Sequence, residues 1–131
     1  MNPILIAPPA IEPVSLAEAK LYLRIDSADE DDLVRALITA SRLLIEAASG
    51  RLLINQTWRL ILDAWPAGGA LRLPLSPAAQ IAGARVFDVS GTAVPVSPGA
   101  LALEPGSDPP LLRVLGSVSA PGRLRAGVEI D

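Results

Sequence analysis

The sequence predicts an α+β domain in which an N-terminal α-helical hairpin packs on a small antiparallel β sheet or sandwich. Apolar residues recur at helical spacing as far as Gly50, and from Ile54 onward they alternate with polar residues. Several short alternating segments then follow, separated by glycine-containing turns. A chain of 131 residues suits one domain, so we expect an extended arm over residues 1–13 and a single α+β domain over residues 14–131.

The N-terminal arm is rich in proline and lacks the basic start of a signal peptide. Its apolar residues cannot form a core of their own, so we predict that the arm becomes ordered only against a neighbouring subunit. Three of them are candidate subunit-interface positions: Ile4, Leu5 and Ile6.

Ser15 and Glu18 begin the first predicted helix, which covers about residues 16–24. Their spacing fits a capping box, in which each side chain accepts a hydrogen bond from the backbone amide of the other residue. We therefore assign both residues a helix-capping role.

The second predicted helix covers about residues 30–49 and ends at Gly50, a residue type that favours helix termination. Its start contains four consecutive acids: Asp29, Glu30, Asp31 and Asp32. Acids in a first turn interact favourably with the helix dipole and with free backbone amides, so we interpret all four as helix-capping residues.

Three functional interpretations of this acidic stretch are weaker. A calcium-binding loop that starts at Asp26 would place Ala28 and Leu37 at ligand positions. A hydrolytic carboxylate pair needs two acids in different environments, whereas consecutive acids at a helix start share one. A helix-turn-helix protein would present these acids to DNA phosphates, which repel them. We therefore expect no metal, no cofactor and no catalytic residue.

On a helical wheel, the second helix has an apolar arc wider than one contact surface requires. Six residues form its main stripe: Leu33, Ala36, Leu37, Ala40, Leu44 and Ala47. Three apolar residues on its shoulder are further candidate subunit-interface positions: Val34, Ile38 and Ile45. Four charged residues lie opposite, at the spacing of ion pairs on a solvated face: Asp31, Arg35, Arg42 and Glu46.

The rest of the chain predicts short β-strands. The first begins at Ile54, and the others cover about residues 70–75, 81–89, 92–96, 100–104, 111–115 and 123–130. Ser90-Gly91 is a typical two-residue hairpin turn between two of them. We expect seven large side chains to be largely buried: Leu33, Leu37, Leu44, Trp58, Leu60, Leu62 and Phe87.

The composition excludes several function classes. Histidine and cysteine are absent, so the chain has no imidazole base, no thiolate nucleophile and no disulfide. A net charge of −3 argues against a free-standing nucleic-acid binder. No apolar run approaches the roughly 18 residues of a membrane span. An apolar content of 50% favours an oligomer.

Three segments in order carry a resemblance to a known family: "PVSLAEAKLYLRID", "DEDDLVRALITASRLLIEAASGRLLINQTWRLILDAWP" and "LRLPLSPAAQIAGARVFD". Together they resemble the head–tail connector (adaptor) family of tailed bacteriophages and gene transfer agents over about residues 11–92. Ala48-Ser49-Gly50-Arg51 stands where the family often has a threonine before the glycine. Family members usually continue past a strand like "AGVEID" into further helices, so we expect those C-terminal helices to be absent from this chain.

The resemblance implies a non-enzymatic virion component, made in the bacterial cytoplasm and located at the capsid vertex. Such adaptors form a ring, commonly of twelve copies, between the portal protein and the tail stopper. DNA passes through the ring without sequence-specific binding, and no membrane is involved. Two other classes stay open: a β-rich binding module for a peptide or glycan, which needs an exposed aromatic platform, and a carboxylate-only hydrolase, which needs a polar cleft.

Overall fold

A computed structural model describes all 131 residues, and the chain forms two compact units. Unit 1 contains residues Met1–Ala7 and Thr57–Asp131, and unit 2 contains residues Pro8–Gln56. Both helices belong to unit 2 and all strands belong to unit 1. This α+β content confirms the fold class predicted from the sequence.

Unit 2 contains α1 (Leu16–Leu23) and α2 (Asp31–Ser49). The capping box is present at the start of α1, where the backbone amide of Ser15 donates to Glu18 Oε2 at 2.8 Å and that of Glu18 donates to Ser15 Oγ at 3.2 Å. Gly50 ends α2 with a φ of 67°, a left-handed conformation that glycine adopts without steric cost. Both helices therefore lie within one residue of the predicted bounds.

Unit 1 consists of two antiparallel sheets. The eight strands are β1 (Asn2–Ala7), β2 (Thr57–Leu62), β3 (Ala70–Arg72), β4 (Ala84–Phe87), β5 (Ala93–Pro95), β6 (Leu101–Leu103), β7 (Leu111–Val114) and β8 (Val128–Ile130). One sheet has the order β1-β2-β8-β4-β5, and the other has the order β3-β7-β6. The predicted hairpin at Ser90-Gly91 joins β4 to β5. The strand predicted from Ile54 begins at Thr57, and β8 is much shorter than its predicted range.

Buried apolar side chains from both sheets form one core: Leu60, Leu62, Val86, Leu101, Leu112, Val128 and Ile130. The predicted burial of Leu60 and Leu62 is confirmed, whereas Trp58 and Phe87 are only half-buried. Strand alternation explains Phe87, because its neighbour Val86 occupies the core side of β4. The guanidinium of Arg123 lies 4.2 Å from the centroid of the Phe87 ring.

The N-terminal arm pairs within its own chain, which corrects the expectation that it orders only against a neighbour. Its residues Asn2–Ala7 form β1, which pairs antiparallel with β2 and places Ile4 opposite Arg59. Backbone hydrogen bonds to a sheet edge order an extended segment even when its side chains form no core. The side chains of Ile4, Leu5 and Ile6 remain exposed.

Candidate assembly surface

A buried ion network holds the inner side of α2. Arg42 Nε donates to Glu12 Oε2 at 2.7 Å, and Arg42 Nη1 donates to Glu46 Oε2 at 2.8 Å. Thr39 Oγ1 donates to Glu12 Oε1 at 2.9 Å. Arg42 and Glu46 are only 7% and 8% exposed, so both charges depend on these partners for solvation.

The same network fixes the segment that follows α2. The backbone amide of Leu53 and the side-chain amide of Gln56 both donate to Glu46 Oε1 at 2.9 Å. Glu46 therefore accepts hydrogen bonds on both oxygens from three different donors. The network joins the residues before α1, the middle of α2 and the segment after α2 within unit 2.

These contacts lower the pKa values of the two glutamates below the ordinary value of 4.5. Hydrogen bonding from Arg42 is the main cause of the lowered pKa of Glu12. Burial raises the pKa of Glu46, but the hydrogen bonds from Leu53, Gln56 and Arg42 together outweigh it. Both carboxylates are thus held ionised by the folded state.

We expect acid to weaken unit 2 through this network. A carboxylate with a lowered folded-state pKa stabilises the fold above its unfolded pKa, and this stabilisation is lost as the pH falls through the folded value. The urea midpoint followed by far-UV circular dichroism should therefore drop steeply below about pH 4.5. Replacing Glu46 with glutamine should flatten that dependence, and an unchanged pH profile in the variant would contradict the assignment.

The helical wheel predicted the wrong side of α2 to be buried. Arg42 and Glu46, expected on a solvated face, are buried, whereas Leu33, Leu37 and Leu44, expected in the core, are more than half exposed. The physical reason is Glu12, which lies 30 residues before Arg42 in the sequence and neutralises its charge. With this partner, the charged side of α2 can be buried. The amphipathic helix is therefore turned with its apolar side outward.

Five residues on the outer side of α2 form what we call the α2 seam: Leu33, Leu37, Ala40, Leu44 and Ala47. All five are exposed, and they are separated by four, three, four and three residues. Ala36, Leu43 and Ala48 flank the seam and are also exposed. A 4-3-4-3 spacing of apolar residues is the pattern by which one helix packs against another. The seam is therefore a large apolar helix face without a partner in this chain.

The candidate interface residues on the shoulder of α2 have different positions. Val34 is buried and Ile38 is half-buried, because they share the inner ridge with Arg42 and Glu46. Val34 is thus unavailable for subunit contact, which corrects its assignment. Ile45 is exposed and adjoins the seam.

The acidic stretch before α2 makes ion pairs and no capping hydrogen bond. Glu30 occupies the N-cap position, but no side chain caps the helix there, which corrects the predicted capping role. Asp31 accepts from Lys20 Nζ of α1 at 2.5 Å, and Asp32 accepts from Arg35 Nη1 at 2.9 Å. Asp31 and Asp32 lie in the first turn, where their charges still complement the helix dipole. Asp29 is exposed.

The outer side of α1 carries two prominent side chains. Leu21 and Tyr22 are 82% and 88% exposed, while Lys20 on the other side reaches α2 through Asp31. No group of three or more His, Cys, Asp or Glu side chains is arranged to hold a metal ion. The chain also has no helix that is long and apolar enough to span a membrane.

The face of the five-stranded sheet opposite the core carries a network of paired charges. Arg59 Nε of β2 donates to Asp131 Oδ1 at 2.7 Å, and Arg85 Nη2 of β4 lies 2.5 Å from Glu129 Oε2 of β8. Hydrogen bonding from Arg59 lowers the pKa of Asp131. Since each arginine faces a carboxylate, this sheet face presents mixed charge and no basic surface for DNA phosphates.

Comparison with solved structures gives matches over nearly the whole chain. One match is a chain of a structure described as the neck of an empty gene transfer agent (GTA) particle computed with C6 symmetry, with a TM-score of 0.76 and 27% identity. The chain resembles components of a gene transfer agent particle. The match covers 99% of this chain and 70% of the other chain.

Two further matches agree with the first. A chain from the virion of a native GTA particle has a TM-score of 0.73 and 26% identity, and covers 99% of this chain and 70% of its own length. A chain from the neck of a native GTA particle computed with C12 symmetry has a TM-score of 0.64 and 27% identity, with coverage of 99% and 67%. No protein-family model matches the chain, and no curated protein matches it either.

Proposed function

We propose that this chain is a structural component of the neck of a phage-like gene transfer particle. It acts there as the head–tail adaptor, a ring of copies between the portal protein and the tail stopper through which DNA passes. The observation that carries this proposal is the likeness to a GTA neck chain over 99% of the sequence, at 27% identity and a TM-score of 0.76. Its role is to join other proteins, and it catalyses no reaction.

The surface of the chain supports an assembled state. The α2 seam exposes apolar area along a helix of 19 residues, which is roughly 28 Å long. An apolar face of this length is unusual on a protein that works as a monomer and is typical of a contact surface. The similar neck structures were computed with C6 and with C12 symmetry, in which symmetry-related copies repeat the same contacts.

The alternative of a peptide- or glycan-binding module finds less support. Such a module needs exposed aromatic rings, and three of the four aromatic side chains are half-buried. The indole of Trp65 donates to the carbonyl oxygen of Ser119 at 3.0 Å, and Phe87 lies beneath Arg123. Tyr22 alone is strongly exposed, and it projects from α1 rather than from a sheet.

Deletion of the gene should leave filled or empty heads that carry no tails. An adaptor is required between portal and tail, so its loss interrupts assembly at the neck and leaves capsid formation intact. Electron microscopy of particles from the deletion strain should show tailless heads, and mass spectrometry should find the chain in wild-type particles. Expression of the unmodified chain from a plasmid should restore tails.

A matched variant separates assembly from folding. Leu37→Asp places a charge in the α2 seam, whereas Leu124→Asp changes a residue that is 95% exposed in unit 1. Only the first should fail to restore tails, while both purified chains keep their far-UV circular dichroism spectrum. Normally tailed particles from the deletion strain would refute the proposed function.

A further inference from the structure

We infer that the buried ion network of Glu12, Arg42 and Glu46 is a positioning device for α2: its partners outside the helix select the rotation of α2 about its own axis that leaves the α2 seam exposed. Without those partners, the helix turns its apolar side inward and the seam is withdrawn from the surface. The segments before α1 and after α2 thereby control whether the seam is available for assembly. This role holds whichever molecule covers the seam, so it does not depend on the proposed function.

The two sides of α2 are alternatives for burial. Residues 40 and 42 are two positions apart, which is about 200° around an α-helix, so Ala40 and Arg42 point in opposite directions. One side carries the leucines of the seam, and the other carries Arg42 and Glu46. Apolar burial favours an inward seam, and desolvation disfavours inward charges. Both effects oppose the rotation that the chain adopts, so specific partners must favour it.

Glu12 favours the observed rotation by satisfying donors on the charged side of α2. Its carboxylate accepts from Arg42 Nε at 2.7 Å, from Arg42 Nη2 at 3.4 Å and from Thr39 Oγ1 at 2.9 Å. In the folded chain, no buried side-chain nitrogen or oxygen atom lacks a hydrogen-bond partner. Removing Glu12 takes the acceptor from these three donors, and Arg42 is too buried to replace it with water.

A second anchor lies after α2. Glu46 Oε1 accepts from the backbone amide of Leu53 and from the side-chain amide of Gln56, both at 2.9 Å. Neither Glu12 nor Gln56 belongs to α2. Both can therefore be replaced without altering the apolar periodicity of the helix or its Arg42–Glu46 pair, which at i,i+4 spacing also suits a solvated face.

The double variant Glu12→Leu/Gln56→Leu tests the device, because it replaces two polar partners with apolar side chains and leaves α2 unchanged. The chain has no cysteine, so a single thiol introduced at position 40 or at position 34 reports which side of α2 reaches water. Ala40 is exposed in the unmodified chain, and Val34 is 3% exposed. In the double variant we expect the Ala40→Cys thiol to become protected and the Val34→Cys thiol to become reactive.

The rate of alkylation by iodoacetamide under native conditions measures this exchange. We expect alkylation at position 40 to slow about tenfold, which corresponds to a turned helix in about nine-tenths of the molecules. Asp29→Leu/Asn55→Leu is the matched control, since both residues are exposed and belong to the same unit. It also adds two leucines and should leave both alkylation rates unchanged.

Two results in the double variant would overturn the inference. Unchanged rates at positions 34 and 40 would show that α2 keeps its rotation without its two outside partners. Fast alkylation at both positions, with the helical circular dichroism signal retained, would show that the helix loses its packing instead of turning.

Single variants keep the test decisive if the double variant unfolds. Glu12→Leu removes one anchor only, so alkylation should still slow at position 40 and accelerate at position 34, by smaller factors. Glu12→Gln keeps an acceptor oxygen for Arg42 and should behave as the unmodified chain. A Glu12→Leu chain that retains its helical circular dichroism signal without these opposite changes would contradict the positioning role.

Discussion

Replacing Arg42 with methionine is expected to lower the free energy of unfolding by about 3–5 kcal/mol, because it leaves a buried carboxylate without its cation. Glu46 is 8% exposed and cannot recover the lost contact from water. Methionine keeps much of the volume of the arginine stem, so the loss reports charge more than packing. Urea unfolding followed by the helical circular dichroism signal measures the effect.

Two further variants test whether the loss of stability in Arg42→Met comes from the buried charge. Arg35→Met removes an arginine from the same helix, but its partner Asp32 is fully exposed, and pairs of that kind contribute roughly 0–1 kcal/mol. Adding Glu46→Gln to Arg42→Met should recover most of the lost stability. The neutral amide oxygen can still accept from Leu53 and Gln56, while the unpaired charge is gone. Equal losses in Arg35→Met and Arg42→Met would contradict the buried network.

Leu112→Ala is expected to cost about 2–5 kcal/mol in unit 1, through lost apolar burial and the cavity left behind. Leu112 is 1% exposed at the centre of β7 and belongs to the core shared by the two sheets. Both tryptophans lie in unit 1, so their fluorescence follows its unfolding selectively. Leu124→Ala is the matched control, because a leucine that is 95% exposed should change stability by about 0.5 kcal/mol or less. Similar losses in both variants would contradict the assigned core.

Local signals in the sequence predicted the helix boundaries and one hairpin turn well. The capping box of Ser15 and Glu18 and the left-handed Gly50 depend only on neighbours within a few residues, so a single sequence contains all the information they need. The hairpin at Ser90-Gly91 was predictable for the same reason. The α+β class followed from a change of periodicity that needs no tertiary contact to be visible.

The orientation of α2 could not be predicted in this way. An Arg42–Glu46 pair at i,i+4 spacing has the same sequence pattern on a solvated face and on a buried one. Three partners decide the difference, and Glu12, Leu53 and Gln56 all lie outside the helix. The apolar seam was visible in the sequence as a stripe on the helical wheel. Assembly surfaces and protein cores are both rich in apolar residues, so the stripe fits either. Only the tertiary structure shows whether a given apolar stripe is buried in the core or exposed on the surface.

The position of β8 has a consequence for how the chain is made. β8 lies between β2 and β4, so the centre of the five-stranded sheet requires residues 128–130. During synthesis β1 and β2 are therefore present long before the strand that joins β2 to the rest of its sheet. Residues 8–56 form a contiguous segment and are synthesised before every strand except β1. A nascent chain would thus expose the α2 seam before its β core exists. During this interval, association of the exposed helices of different chains competes with completion of the fold.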